Sequence, residues 1–587
     1  MKKINRFIAF AAVGMAVIFS GCGNAGLKKA GLTSSDTTRV ILYNQIGYYP
    51  DARKVALIRS DAVKFEVIDA NTGKSVFKGL TEAPEYWSFS GDSVRAADFS
   101  ALTKPGSYRL CLGGSAVCSG SFSISDSVYT DITKASVKAL YFNRSGYEIT
   151  AEFGSKWARP AGHPDTTVLV HASAASKSRP AGTIISSPGG WYDAGDYNKY
   201  IVNSSITNYT LLLLYQLYPE YCRTLNIGIP ESTNKIADVV DELLYNLRWM
   251  LTMQDPADGG VYHKLTDKAF DGFEMPDKDL APRYVVQKNT QATLDFAAVM
   301  AMASRVFAND PDEELRNLSM VCREAAGKAM EWARKNPDIL YKQPADITTG
   351  QYSDTLITDD LFWASAEMAL TEDRPGDLPL SQINGVVAVT PWWQENQMLG
   401  IISLALSDNV NFRDQSKAAA ALLESFAGNL VAKSEKSPYR VSIDYFLWGS
   451  NGDVANQALV KLIALKLTGD KKYLASVQGD VDYLLGRNAT GYCFVTGFGH
   501  LSPMHIHHRP SGADGVPEPV PGFLVGGPNT SVMHDCGPFV SRSEFPAASY
   551  IDSECSYSTN EICINWNAPL TFVLGFMDCQ GVGSELK

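Results

Sequence analysis

The sequence predicts two domains in series: a small all-β sandwich of immunoglobulin-like size, then a large all-α toroid of six α/α hairpins. Three observations predict it. Apolar residues alternate in short bursts from Val40 to about Ser125, they change to a helical period beyond about residue 130, and 587 residues are too many for one ordinary domain.

In the first region the bursts are Val55–Ile58, Phe65–Ile68, Val76–Phe77, Tyr108–Leu112 and Phe122–Ile124, with turn signals such as Asn71-Thr72-Gly73 and Lys104-Pro105-Gly106 between them. About six or seven short strands at such spacing make a sandwich. It spans 39–127 and carries nothing that looks catalytic. Cys111 and Cys118 flank Gly113-Gly114, so a disulfide across that hairpin is expected, and no Cys-x-x-Cys suggests a thioredoxin motif or zinc ribbon.

Beyond it, residues such as Ala419, Leu422, Leu423, Phe426 and Leu430 share one helical face. Eleven helical segments fall near 132–143, 206–218, 233–254, 290–307, 315–335, 357–371, 393–407, 413–433, 451–468, 472–486 and 562–578. That is one short of six pairs, so one helix escapes the pattern. The longest irregular stretch, Gly486 to Asn560, exceeds what a connection needs, which marks it as functional.

The first residues carry Met1, Lys2, Lys3 and Arg6 before an apolar run from Phe7 to Phe19, an export signal too short to span a membrane as a mature helix. It ends in Ser20-Gly21-Cys22, which resembles the lipobox of bacterial lipoproteins. A signal of residues 1–21, lipidation of Cys22 and a linker over 22–38 are therefore expected. No acidic cluster follows Cys22, which favours a periplasm-facing anchor in a Gram-negative envelope over display at the cell surface.

A net charge of -11 excludes nucleic acid as a partner, because that contact needs a basic face. Aromatics at 11% suit stacking on neutral sugar rings. Three segments could carry chemistry. Gly189–Asn198 sets Asp193 and Asp196 three apart, so that both carboxylates can converge on one point and their pKa values be driven apart. An Asx-turn or calcium loop fits a bare Asp-x-x-Asp about as well. Glu561 opens the last helical segment, where it either caps the helix or, beside Tyr557 and Trp566, acts as an acid of raised pKa. His505–Ser511 holds His507, His508 and Arg509; a zinc site is readable there, but the arginine disfavours a cation and no helix adds a ligand at familiar spacing.

Taken in order, Trp191–Asp196, His507–Ser511 and Asp552 through Glu561 resemble the catalytic signature of glycoside hydrolase family 9. Supporting matches are Trp448–Asn451, Asp482–Asn488, Val495–Gly499 and Gln254–Gly260. The resemblance covers almost all of 130–580, and the preceding sandwich resembles the immunoglobulin-like module that many members carry. It implies an (α/α)6 barrel over 128–587 and inverting, usually internal, hydrolysis of β-1,4-glucosidic bonds. Asp196 then matches the base, Asp193 its assistant and Glu561 the acid. His507 and Asp552 join the catalytic set, and Arg509, Tyr557, Trp191 and His508 the substrate contacts.

Inversion requires the two carboxyls to stand roughly 6.5–9.5 Å apart, with a water between base and sugar. The resemblance implies no catalytic metal. Where some members bind zinc, this chain has Arg144-Ser145-Gly146 and Ala161-Gly162-His163, and Asp359-Asp360 leave room for a structural calcium. The expected partners are a β-glucan such as xyloglucan, mixed-linkage glucan or a cellulosic chain, and a membrane reached only through the lipid anchor. The protein itself is expected to be a monomer. Two readings stay open beside this one: an exo-acting glycosidase or glucosaminidase of the same fold, and a non-catalytic glycan-binding lipoprotein.

Overall fold

The computed structural model describes residues 39–581. The export signal, Cys22 and the whole linker over 22–38 lie outside the described residues. The first domain contains β1 (Ile41–Leu42), β2 (Gly47–Tyr48), β3 (Val55–Ile58), β4 (Lys64–Asp69), β5 (Ser75–Leu80), β6 (Glu85–Trp87), β7 (Asp92–Asp98), β8 (Gly106–Leu112) and β9 (Phe122–Ile124). They form two sheets, in the orders β1-β3-β7-β6 and β2-β9-β8-β4-β5. Nine strands replace the six or seven expected, because two-residue strands show no alternation and β7 is built on small and polar residues. The Cys111–Cys118 disulfide forms across the hairpin.

Tyr48, Phe65, Phe99, Tyr108 and Phe122 fill the space between the sheets. The other face of the β1-β3-β7-β6 sheet belongs to the barrel: Leu42, Val55, Leu57, Trp87 and Val94 join the large core. Trp87 stacks on Tyr439 at 4.6 Å, and the Asn44 amide donates to Asp482 at 2.9 Å. Burial of each such side chain stabilises by about 1.5–3 kcal/mol, so the sandwich braces the barrel as a packed partner.

Twelve helices build the barrel: α1 (Thr130–Phe142), α2 (Ile201–Leu217), α3 (Asp238–Thr252), α4 (Thr290–Phe307), α5 (Glu313–Lys335), α6 (Thr358–Glu372), α7 (Leu380–Asn384), α8 (Gln397–Ala405), α9 (Arg413–Lys436), α10 (Ser450–Thr468), α11 (Lys472–Leu484) and α12 (Ile564–Gly581). The even-numbered helices pack in a closed inner ring, α12 returning to α2, and the odd-numbered ones lie outside. Inner α2 is buried from Ile201 to Tyr215, polar residues included, whereas outer α5 buries one stripe through Leu315, Cys322, Ala326 and Met330. The helix that escaped the pattern is α7, five residues long and too short to show a period.

A five-stranded sheet among the loops has no counterpart in the residue pattern. It contains β10 (Val168–Val170), β11 (Ile184–Ile185), β12 (Lys199–Tyr200), β13 (Lys264–Thr266) and β14 (Tyr284–Val285), ordered β11-β10-β14-β13-β12. Its edge strand β12 leads the Trp191–Asn198 loop directly into α2, which fixes that loop at the mouth of the barrel.

Candidate active site

A cleft of about 730 Å³ opens at this end of the barrel, and Asp196, His507, Arg509, Tyr557 and Glu561 line it together. Residues 365 positions apart meet because three loops share one glycine. Gly195 donates its N–H to Glu561 Oε1 at 3.3 Å, and its carbonyl accepts from the Arg509 backbone at 3.1 Å and from Arg509 Nη1 at 2.7 Å. A Cβ on Gly195 would stand 2.2 Å from the His507 carbonyl oxygen, so only glycine permits the approach. His507 in turn pairs with the Asn560–Glu561 strand, its N–H donating to Asn560 O at 2.9 Å.

Asp196 is 5% exposed, and both its side-chain hydrogen bonds fall on Oδ2, from Asn198 at 2.5 Å and Tyr200 at 3.0 Å. Asp193 lies behind the cleft wall. Asn203 Nδ2 reaches both its oxygens, at 3.0 and 2.9 Å, and Tyr352 donates to Oδ2 at 3.0 Å. Burial and the neighbouring Asp196 push Asp193 up to about 8. The same two causes raise Glu561 well above the carboxylate range, against the opposing pull of Arg509 and the Gly195 N–H. Burial lowers the His507 imidazole, whose Nδ1 is bonded to the Glu554 carbonyl at 2.7 Å.

Four of the expected site residues do not line the cleft. Asp193 supports from behind. Trp191 is fully buried and donates Nε1 to Glu242 at 3.0 Å, so it is core. His508 is turned inward against Phe523, with burial lowering it to about 3. Asp552 accepts the N–H groups of Met504 and His505 and the Asn560 amide at 2.9–3.1 Å, which ties the histidine loop to the strand before Glu561. Its work is positioning.

The sequence reading missed several lining groups. Trp392, Trp393 and Trp448 form apolar walls, and Tyr200 and Tyr352 sit beside Asp196 and Asp193. Tyr352 holds φ at 43°, a left-handed conformation that no residue pattern announces. A second disulfide, Cys536–Cys555, was also missed; its partners meet only through the fold of the long loop.

Away from the cleft, oxygens of Asp354, Asp359 and Asp360 lie within 4.8 Å of one another. Asp354 Oδ2, Asp359 Oδ1 and Asp360 Oδ2 are buried without a hydrogen-bond partner. Burial raises all three carboxyls, Asp359 to about 6. Orphaned hard oxygens in such proximity fit a hard divalent cation. The second acidic group, His163 with Asp267 and Asp279, does not: Tyr192 and Asp279 occupy both imidazole nitrogens at 2.8 Å, and Arg283 neutralises Asp267 at 2.9 Å.

An (α/α)6 barrel whose aromatic cleft holds an ionisable carboxyl pair, one member of strongly raised pKa, is the architecture of a glycoside hydrolase. The family model of Glycosyl hydrolase family 9 matches residues 129–574, and that of the Cellulase N-terminal ig-like domain matches 36–116. The chain belongs to glycosyl hydrolase family 9. It is 41% identical to the xyloglucan-specific endo-beta-1,4-glucanase BoGH9A of Bacteroides ovatus, over 99% of this chain and 100% of that protein. Identity to endoglucanase D of Acetivibrio thermocellus is 32%, over 93% and 81%. The solved Bacteroides ovatus GH9 structure superposes with a TM-score of 0.85 at 40% identity, covering 93% of this chain and 100% of that one.

Proposed function

We propose that this glycoside hydrolase is an inverting endo-β-1,4-glucanase whose substrate is xyloglucan, with Asp196 as base and Glu561 as acid. The observation that carries the assignment is the meeting of Asp196 and Glu561 in one aromatic cleft, with Glu561 held there by the Gly195 N–H. Burial, and then Asp196, raise the Glu561 carboxyl well above its ordinary value, which suits a general acid. The Gly195 N–H occupies Oε1, so Oε2 is the oxygen that delivers the proton to the departing glycosidic oxygen. Asp196 has both protein hydrogen bonds on Oδ2, which leaves Oδ1 to accept a proton from the attacking water. Asp193, pushed up to about 8 by burial and by Asp196, fixes the base through the shared loop.

Arg509 and His507 contact the sugar at the cleavage point, and the tryptophan walls stack on the chain to either side. The full-length similarity to a xyloglucan-specific enzyme supports the choice of glucan. Asp354, Asp359 and Asp360 would hold a calcium ion that supplies charge compensation to the loop ahead of α6 and takes no part in hydrolysis. The mature protein acts as a monomer anchored through Cys22, facing the periplasm; palmitate labelling lost in Cys22→Ala tests the anchor.

Hydrolysis of xyloglucan, mixed-linkage glucan and carboxymethyl cellulose, read by oligosaccharide profile and by proton NMR of the first-formed anomer, tests the function. Internal cleavage of xyloglucan with initial α-anomer is expected. Initial β-anomer removes inversion, single-unit release removes endo action, and binding without cutting removes the enzyme assignment.

A further inference from the structure

A second cavity, of about 250 Å³, lies at the seam between the sandwich and the barrel and shares no lining residue with the catalytic cleft. Arg53 reaches it from the loop before β3, Arg440 from the connection after α9, and Arg487 from the end of α11. Lys472 joins them but is paired with Asp470 at 2.8 Å, and Glu435 and Asp482 are the carboxylates of the lining.

The existing partners do not exhaust these cations. Arg487 is 2% exposed; its Nη1 pairs with Asp482 at 3.1 Å and its Nη2 donates to the Gly479 carbonyl at 3.1 Å, but its buried Nε has no acceptor. Arg440 leans on Glu82 at 3.4 Å through Nη2, and its Nε is likewise buried and unpartnered. Arg440 also holds a left-handed φ of 52°, an uncommon conformation for a long side chain. Burial lowers its affinity for a proton, and repulsion from Arg53 and Arg487 lowers it further, so the three guanidinium groups feel one another. Among the described residues Arg53 has no ion pair.

Two buried N–H donors without acceptors, on guanidinium groups that line one cavity with the unpaired Arg53, call for a ligand with several charged acceptor oxygens. Guanidinium forks match tetrahedral oxyanions better than ammonium groups do. A single water would satisfy one Nε and leave the repulsion intact. We propose that this cavity binds a small dianionic oxyanion of the phosphate or sulfate class, held by Arg53 of the sandwich and by Arg440 and Arg487 of the barrel. Because its ligands come from both domains, the ion clamps the sandwich to the barrel.

Thermal melts in sodium sulfate, sodium phosphate, sodium acetate and sodium chloride at matched ionic strength test the site. Sulfate and phosphate should raise the melting midpoint along a saturable curve, by about 2 °C at a hundredfold excess over Kd, with acetate and chloride well below. Arg53→Gln, an exposed substitution compatible with folding, should move the half-saturating concentration at least tenfold, and Arg440→Gln should do the same. Sulfate also stabilises proteins generally by exclusion from their surface. A rise that is linear in concentration and equal in wild type and Arg53→Gln is that general effect and overturns the site. Crystals grown in selenate give the second readout: an anomalous peak between Arg53, Arg440 and Arg487 is expected, and its absence at a concentration that saturates the melt overturns the proposal.

Discussion

Gly195 donates its backbone N–H to Glu561 Oε1 at 3.3 Å across 366 positions of sequence. The same residue's carbonyl holds Arg509, and its bare Cα lets the His507 carbonyl pass at a distance no side chain tolerates. The glycine between the two aspartates is thus a point of close approach, and its flexibility is secondary. Gly195→Ala places a Cβ 2.2 Å from backbone, which cannot rotate away. Overpacking of that kind costs about 1–3 kcal/mol. The expected result is a folded protein with a modestly lowered melting midpoint and a loss of kcat about a hundredfold, since a 1 Å misplacement in the site costs that much. Wild-type turnover in the variant would remove Gly195 from its hub position.

Glu561→Gln should lower kcat on xyloglucan by about 10²–10⁴, the usual contribution of a positioned general acid. An aryl glycoside with an acidic leaving group needs little protonation and should lose far less. In the wild type the acid must be protonated, so activity falls as pH rises through the elevated Glu561 value, and this alkaline limb disappears in the variant. Equal losses on both substrates would place the acid elsewhere.

The barrel was legible because inner and outer helices differ in period: α4 is apolar nearly all round, and α9 carries its stripe through Ala419, Leu423 and Leu430. The cleft carboxylates were legible through motif order. Residues whose role depends on which way a loop turns were not. His508 and Trp191 sit inside motifs that contribute to the cleft, yet both side chains are buried away from it, His508 between the cleft-lining His507 and Arg509. Tyr352, Trp392 and Trp448 come from connections whose spacing carries no period, and Asp552 acts on backbone N–H groups 47 and 48 positions away.

Calcium binding by Asp354, Asp359 and Asp360 predicts a stability effect without a direct catalytic one. Exhaustive chelation should lower the melting midpoint by about 3 °C, and calcium should restore it better than magnesium, which keeps its waters. Asp360→Asn removes one ligand and should make the protein indifferent to chelator. A melting curve unchanged by chelation would leave the three orphaned oxygens to water alone.

Asp193 gives a prediction whose sign follows from its environment. Its affinity for a proton rises from an ordinary 3.8 in the unfolded chain to about 8 in the fold, chiefly through burial and then through Asp196. The folded state therefore binds this proton more tightly than the unfolded state does. That contribution to stability is complete below the unfolded value and is lost progressively as pH rises towards the folded one. Asp193→Asn is nearly isosteric and carries no charge at any pH, so it keeps the volume against Asn203 and Tyr352 while deleting the titration. The melting midpoint of the variant minus that of the wild type should increase from about pH 4 and level off above about pH 8, with other titrations common to both proteins cancelling in the difference. Turnover should fall in the same variant, because Asp196 loses the neighbour that shares its loop. A difference that stays flat from pH 4 to pH 9 would mean that Asp193 is ionised in the folded protein throughout, and its raised proton affinity would be withdrawn.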